Sequence, residues 1–175
     1  VDELFPYDVF ESLSYSVEVF GQKSYNGVAN ITKASSAQTS KGITGLVDPQ
    51  KRVISTTHQD VRVVNVYVPN GQAIGSEKFD YKLDWLEHLK KMLKDDLKKH
   101  PKMVVLGDFN IAPNDQDVHD PEKWKDKILC SAQERTMFEE ILSLGFKDSF
   151  RLFEKGAGFH SWWDYRTAAY TKELG

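Results

Sequence analysis

Met103-Val104-Val105-Leu106-Gly107-Asp108-Phe109-Asn110-Ile111-Ala112-Pro113 sets the frame for the whole chain. Its first four residues are apolar and β-prone, the pattern of a buried strand. Gly107 is expected to break that strand. Asp108 and Asn110 lie two positions apart, so extended backbone points both side chains the same way. Ile111 and Pro113 lead into a polar loop, 114–120. A carboxylate and a carboxamide thus stand at the mouth of a buried strand, where rigid scaffolds often place reactive groups. A Gly-Asp turn after a core strand, with Asn110 as a turn residue, explains the same letters. On spacing alone the turn has a slight edge.

On the N-terminal side, Phe79 to Leu97 carries apolar residues at 79, 83, 86, 89, 93 and 97, the spacing of an amphipathic helix. Ser76 can cap its start, and His100-Pro101 stops it. Before it, Arg52–Thr57 and Val61–Val68 read as two strands joined by a polar tip, His58-Gln59-Asp60. The second is the most β-branched stretch in the chain. Pro69-Asn70-Gly71 ends it. Earlier still, Tyr15–Phe20 and Val28–Thr32 read as strands, with Asn26-Gly27 as a turn signal between them. Residues 34–45, rich in Ser, Thr, Ala and Lys, read as a surface loop or partly an edge strand. Residues 2–13 read as a loop with a short helix.

On the C-terminal side, Ser131 and Glu134 form a capping box for a helix running to Leu144 and closed by Gly145. Phe146–Glu154 is a short amphipathic stretch, and Gly156-Ala157-Gly158 a flexible joint. Phe159–Tyr165 is aromatic-dense and reads as a strand. No internal repeat and no linker divides the chain, so 1–175 reads as a single, partial domain. Strands mixed with two main helices predict an α/β or α+β layered fold.

Composition narrows the function classes. The 175 residues are 40% hydrophobic and 28% charged, ordinary for a globular protein with a sizeable core. The net charge is −3, so there is no global basic footprint for nucleic acid. A local patch or bound divalent cations can offset phosphate charge, so nucleic acid is not excluded. Cys130 is the single cysteine, which rules out an internal disulfide and fits a reducing compartment. No apolar run approaches a membrane span. Val1-Asp2-Glu3-Leu4-Phe5-Pro6 resembles neither a signal peptide nor a natural start.

Three strand-to-polar junctions stand out: Tyr67 before Pro69-Asn70-Gly71; Asp108 and Asn110; and Ser161-Trp162-Trp163-Asp164-Tyr165. If these strands share a sheet, their ends converge. The chemistry such groups suit is phosphoester hydrolysis. A carboxylate can orient or deprotonate a water. A carboxamide can fix that carboxylate or the phosphate, and a phenol can donate to a phosphoryl oxygen. Taken singly, Tyr67, Trp162 and Trp163 are more often core aromatics. Asp115, Asp117 and Asp120 resemble a calcium loop, but the sixth position lacks Gly and the twelfth lacks Glu. His119 and His160 are isolated, and Lys90–Lys99 reads as a solvated helix face. There is no Cys-x-x-Cys, phosphate loop or Gly-x-Ser-x-Gly, which argues against zinc, nucleoside-triphosphate and serine-hydrolase chemistry.

Gly107-Asp108-Phe109-Asn110-Ile111-Ala112-Pro113 closely resembles the Gly-Asp-x-Asn segment of exonuclease III-type abasic-site endonucleases, members of the endonuclease/exonuclease/phosphatase superfamily. Other stretches fit in order: Gly21-Gln22-Lys23 with Asn26-Gly27-Val28-Ala29, Asn65 to Gly71, Trp124, Cys130-Ser131, Glu134-Arg135, Asp148 to Arg151 and Ser161 to Arg166. The resemblance implies a four-layer αββα sandwich, two sheets face to face with helices outside. It implies Mg2+- or Mn2+-dependent phosphodiester hydrolysis in double-stranded DNA, at abasic sites and 3′ ends, in base excision repair. Residue by residue it implies that Asp108 orients or activates the water and that Asn110 holds that site and the phosphate. Both would serve the metal. Tyr67 would stabilise the developing phosphoryl charge, and Trp162 would line a pocket for the extruded abasic sugar. Asn26 and Asn70 would touch the DNA backbone. It also implies a monomer working in a bacterial cytoplasm, without a membrane partner.

The family's Asn-bearing first strand, its metal-binding Gln-Glu motif, its later Asp strand and its Ser-Asp-His motif have no counterpart here. The chain therefore resembles an internal portion, incomplete at both ends, and is expected to show very weak or no nuclease activity alone. Core surface and strand edges are expected to be left exposed. Two alternatives stand beside the nuclease: a non-catalytic DNA-binding module, and a phosphatase or phosphodiesterase of the same superfamily acting on a lipid or inositol phosphate.

Overall fold

The computed structural model describes residues 2–175, without the side chain of Tyr165. The chain forms two compact units. One comprises residues up to Pro69 together with Trp85–Phe109; the other comprises Asn70–Asp84 and Asn110–Gly175.

The first unit holds both sheets. Strands β1 (Ser16–Phe20) and β2 (Val28–Thr32) pair antiparallel as a hairpin. Strands β3 (Gln38–Lys41), β4 (Val53–His58), β5 (Val61–Tyr67) and β6 (Lys102–Asp108) make the second sheet in that order. β3, β4 and β5 pair antiparallel, whereas β5 and β6 are parallel. A parallel neighbour needs a long crossover, here supplied by helix α2 (Glu77–Leu97). The hairpin lies against β4 and β5. Its buried Asn30 amide donates to Thr56 Oγ1 (2.8 Å), and Asn65 Nδ2 of β5 donates to Ala29 O (3.0 Å). Side chains alternate along β5, so Arg62, Val64 and Val66 point to the opposite face and are buried. There Arg62 pairs with Asp96 of α2 at 3.7 Å, while Trp85, Leu86, Leu89 and Leu93 are almost completely buried. Two sheets with a helix outside one of them match the expected sandwich layering.

The same register leaves one face of β6 uncovered. Val104 and Leu106 are 46% and 42% exposed, and β6 is an edge strand among the described residues. Met103–Leu106, expected as a buried strand, is therefore only partly covered: Met103 and Val105 are half-buried, while Val104 and Leu106 are exposed.

The second unit carries the start of α2, helices α3 (Pro121–Trp124), α4 (Ala132–Ser143) and α5 (Ser149–Phe153), and irregular chain. α4 begins at the expected capping box: Glu134 N donates to Ser131 Oγ (3.2 Å) and Ser131 N to Glu134 Oε2 (3.1 Å). Helix α1 (Tyr7–Ser12) is the short N-terminal helix, in the first unit.

Two further expectations need correction. Gly107 does not end the strand; β6 runs through it to Asp108. Its φ is +127°, and an added Cβ would sit 2.0 Å from Val66 O. The glycine is there for a close backbone approach, not for a break. Second, Phe159–Tyr165 is not a strand. It is irregular chain entering a 3-10 turn at Tyr165–Thr167. Asp164 organises it locally: Arg166 N donates to Asp164 Oδ1 (3.0 Å), and Thr167 N to Asp164 O (3.1 Å). Side-chain turn chemistry here replaces a β ladder.

Candidate functional site

The predicted site residues divide between the two units: Asn26, Tyr67 and Asp108 lie in the first, Asn70, Asn110 and Trp162 in the second. In the first unit, Tyr67 and Asp108 are register partners at the C-terminal ends of the parallel strands β5 and β6. Val68 N donates to Asp108 O at 2.9 Å, which carries the pairing one residue past Tyr67. Side chains of paired positions share a face, so the phenol and the carboxylate emerge on the same side of the sheet. Asp108 is exposed and Tyr67 half-buried.

Behind Tyr67 lies Arg52, which the sequence reading did not single out. Its guanidinium carbon stands 4.8 Å from the Tyr67 ring centroid, and its NH1 donates to Tyr67 O (2.9 Å). The same side chain donates through Nε to Gln50 Oε1 (2.8 Å), and that oxygen also accepts from Asn26 Nδ2 (3.1 Å). Asn26, Gln50, Arg52 and Tyr67 are thus one connected network. Asn26 sits at φ +59° beside Gly27 at +100°, so the hairpin loop is held in a left-handed turn that aims its amide at Gln50. A positive, stacked group next to a phenol favours a negative partner at the hydroxyl end. Arg52 was legible only as a charged residue opening a hydrophobic strand.

In the second unit, Asn70 Nδ2 donates to Asn110 Oδ1 at 3.3 Å. Asn110 lies past the end of β6 at φ +49°, so extended backbone does not align it with Asp108 as the spacing predicted; Asn tolerates this left-handed conformation better than most residues. Trp162 lies in the irregular aromatic segment and is 42% exposed, so alternation along a strand is not what presents it. Nearby, Arg166 donates to both carboxylate oxygens of Asp164 (2.9 and 2.8 Å). That hydrogen-bonded guanidinium holds the Asp164 carboxyl below the usual carboxylate range. Asp164 is thus a paired turn residue.

The acidic loop is structural too. Asp115 pairs with Arg135 (2.7 Å), Asp117 with Arg151, and Asp120 caps α3 by accepting from Lys123 N (3.0 Å). Among the described residues, no three His, Cys, Asp or Glu side chains gather as a metal-ion site. Asp108 in the first unit offers one carboxylate and Asn110 in the second one carboxamide, each far short of a coordination shell.

The whole length of the chain matches known proteins. It is 33% identical to exodeoxyribonuclease III of Haemophilus influenzae over 187 aligned residues, covering 99% of this chain and 70% of that enzyme. This chain belongs to the exodeoxyribonuclease III/AP endonuclease family. Enzymes of this family are metal-dependent. No protein-family model matches the sequence. Two solved structures of family members superpose closely. One is a 3′ phosphatase from Neisseria bound to product DNA hairpin: TM-score 0.95, 43% identity, 99% of this chain and 68% of that one covered. The other is an AP endonuclease from Archaeoglobus fulgidus: TM-score 0.92, 33% identity, 99% and 68% covered.

Proposed function

We propose that this chain serves metal-dependent hydrolysis of phosphodiesters in double-stranded DNA, at abasic sites and 3′ ends, during repair. The observation that carries the proposal is the in-register pair Tyr67 and Asp108 at two parallel strand ends, in a chain aligned over 99% of its length with an exodeoxyribonuclease III. Asp108, exposed, orients the attacking water. Tyr67, backed by Arg52, donates to the phosphoryl oxygen on which negative charge grows. Asn110 holds the phosphate, and Asn26 and Asn70 contact the DNA backbone. Trp162 offers an apolar surface to a sugar withdrawn from the stack. The metal would be Mg2+ or Mn2+, with Asp108 and Asn110 as part of its shell.

The 43% identity with a protein described as a 3′ phosphatase favours a second emphasis, 3′-end trimming over incision at abasic sites. Both use the same phosphate-handling groups. The test is a product assay with Mg2+ on three labelled duplexes: one abasic, one with a recessed 3′ end, one with a 3′ phosphate. This chain is expected to bind them and turn over very slowly or not at all. Robust cleavage abolished by Asp108→Ala would overturn the expected inactivity while supporting the role of Asp108. Robust cleavage indifferent to Asp108→Ala would overturn the site.

A further inference from the structure

Lys82 and Glu134 are the most deeply buried ion pair among the described residues: both side chains have zero exposure. Neither belongs to the groups assigned above. Lys82 lies on α2 three residues after Phe79 and three before Trp85, on the helix's buried stripe. Its ammonium Nζ donates to Asn110 O (2.6 Å), to Asn70 O (3.3 Å) and to Glu134 Oε1. These acceptors are two backbone carbonyls and one carboxylate oxygen. Glu134 is equally engaged. Oε1 also accepts from Leu129 N (3.1 Å), and Oε2 from Ser131 N (3.1 Å) and Ser131 Oγ (2.7 Å). The lysine stem packs closely too: a Cβ added to Gly71 would meet Lys82 Cδ at 3.1 Å.

Stability does not explain such a pair, because removing two charges from water offsets most of their attraction, and an apolar pair of similar volume often does as well. An apolar pair cannot, however, hold two backbone carbonyls. Those carbonyls belong to Asn70 and Asn110, whose side-chain amides bond each other. Asn110 is moreover held in the left-handed region, which costs energy unless its surroundings fix it.

We propose that Lys82 is a positioning residue: it ties the carbonyls of Asn70 and Asn110 to one ammonium, so that the two amides face a DNA phosphate as a fixed pair. Glu134 keeps the ammonium aimed. The phosphate as ligand rests on the nuclease reading above; the clamp itself does not.

The test compares the wild-type chain with the double variant Lys82→Met/Glu134→Leu, which leaves no orphan charge. Side-chain amide NMR signals of Asn70 and Asn110 and affinity for a fluorescein-labelled duplex with a recessed 3′ end are both read. The double variant should shift and broaden both amide signals and weaken binding on the order of tenfold or more. In that background, Asn70→Ala and Asn110→Ala should cost nothing further. Unchanged amide signals in a folded double variant would overturn the clamp. If the double variant does not fold, the wild-type chain decides alone. On duplex addition, the Lys82 ammonium and both amide signals should move along one saturation curve; an unmoved Lys82 signal would overturn the proposal. If the wild-type chain binds no duplex at all, the nuclease reading fails, and the amide signals of the double variant, or in its absence a scalar coupling from Lys82 Nζ to the two carbonyl carbons, still decide the clamp.

Discussion

Gly107 shows how one missing methyl can position a site. It lies between Leu106 and Asp108 on β6, at φ +127° and hard against Val66 of β5. Any Cβ would push the two strands apart where Tyr67 and Asp108 are register partners. Gly107→Ala is therefore expected to destabilise the fold by about 3 kcal/mol or more, combining left-handed strain with a backbone clash. Urea unfolding measures this; a loss under about 1 kcal/mol would mean that the strands separate easily. The sequence showed that a glycine mattered here, but a glycine that ends a strand and one that lets two strands touch look alike until the neighbour is known. Cys130 gives a second prediction. Burial pushes its thiol above the ordinary value of 9.0. A raised folded value means that its stabilising contribution is complete below that ordinary value and is lost as pH rises through the higher folded one. The melting temperature should be insensitive to Cys130→Ala in its pH slope from pH ~6 to ~8, and lose part of its alkaline decline above pH ~9 in that variant. An identical alkaline decline in both proteins would remove Cys130 as the cause.

At the scale of elements, legibility followed local chemistry. β5 and α2 were readable because their hydrophobic periods match their structures, β4 because it is rich in β-branched residues, and α4 because Ser131 and Glu134 form a capping box whose geometry is local. Ser131→Ala should cost about 1–2 kcal/mol, at the upper end for a cap. Ser131 Oγ also donates to the buried Glu134 carboxylate. Chemical denaturation measures the loss, and a cost near zero would mean that Glu134 is held without the hydroxyl. Phe159–Tyr165 misled because aromatic residues are β-prone, while Asp164 makes a local turn with Arg166 and Thr167 that outweighs that propensity. Lys82 was missed for a related reason. Lysine on a helix reads as solvated, and the one signal against that was its place on the apolar stripe between Phe79 and Trp85. Arg52 was missed because stacking on Tyr67 joins residues fifteen positions apart.

Across the whole molecule, family membership and layer order were legible, since an ordered set of motifs survives over the full length. What the sequence could not place was how each motif is held. Asn26 and Tyr67 are joined through Gln50 and Arg52, whereas Asn70 and Asn110 are joined through each other and Lys82. The uncovered face of β6, with Val104 and Leu106, is a property of the sheet rather than of any residue. No helix among the described residues is long and apolar enough to cross a membrane. The central claim is that this chain handles DNA as a repair nuclease does. Its most direct test is the affinity of the chain for an abasic duplex relative to the intact duplex of the same sequence, measured by fluorescence anisotropy with and without Trp162→Ala. Tighter binding of the abasic duplex, with the preference lost in the variant, is the predicted result; equal affinity of the wild-type chain for both duplexes would contradict it.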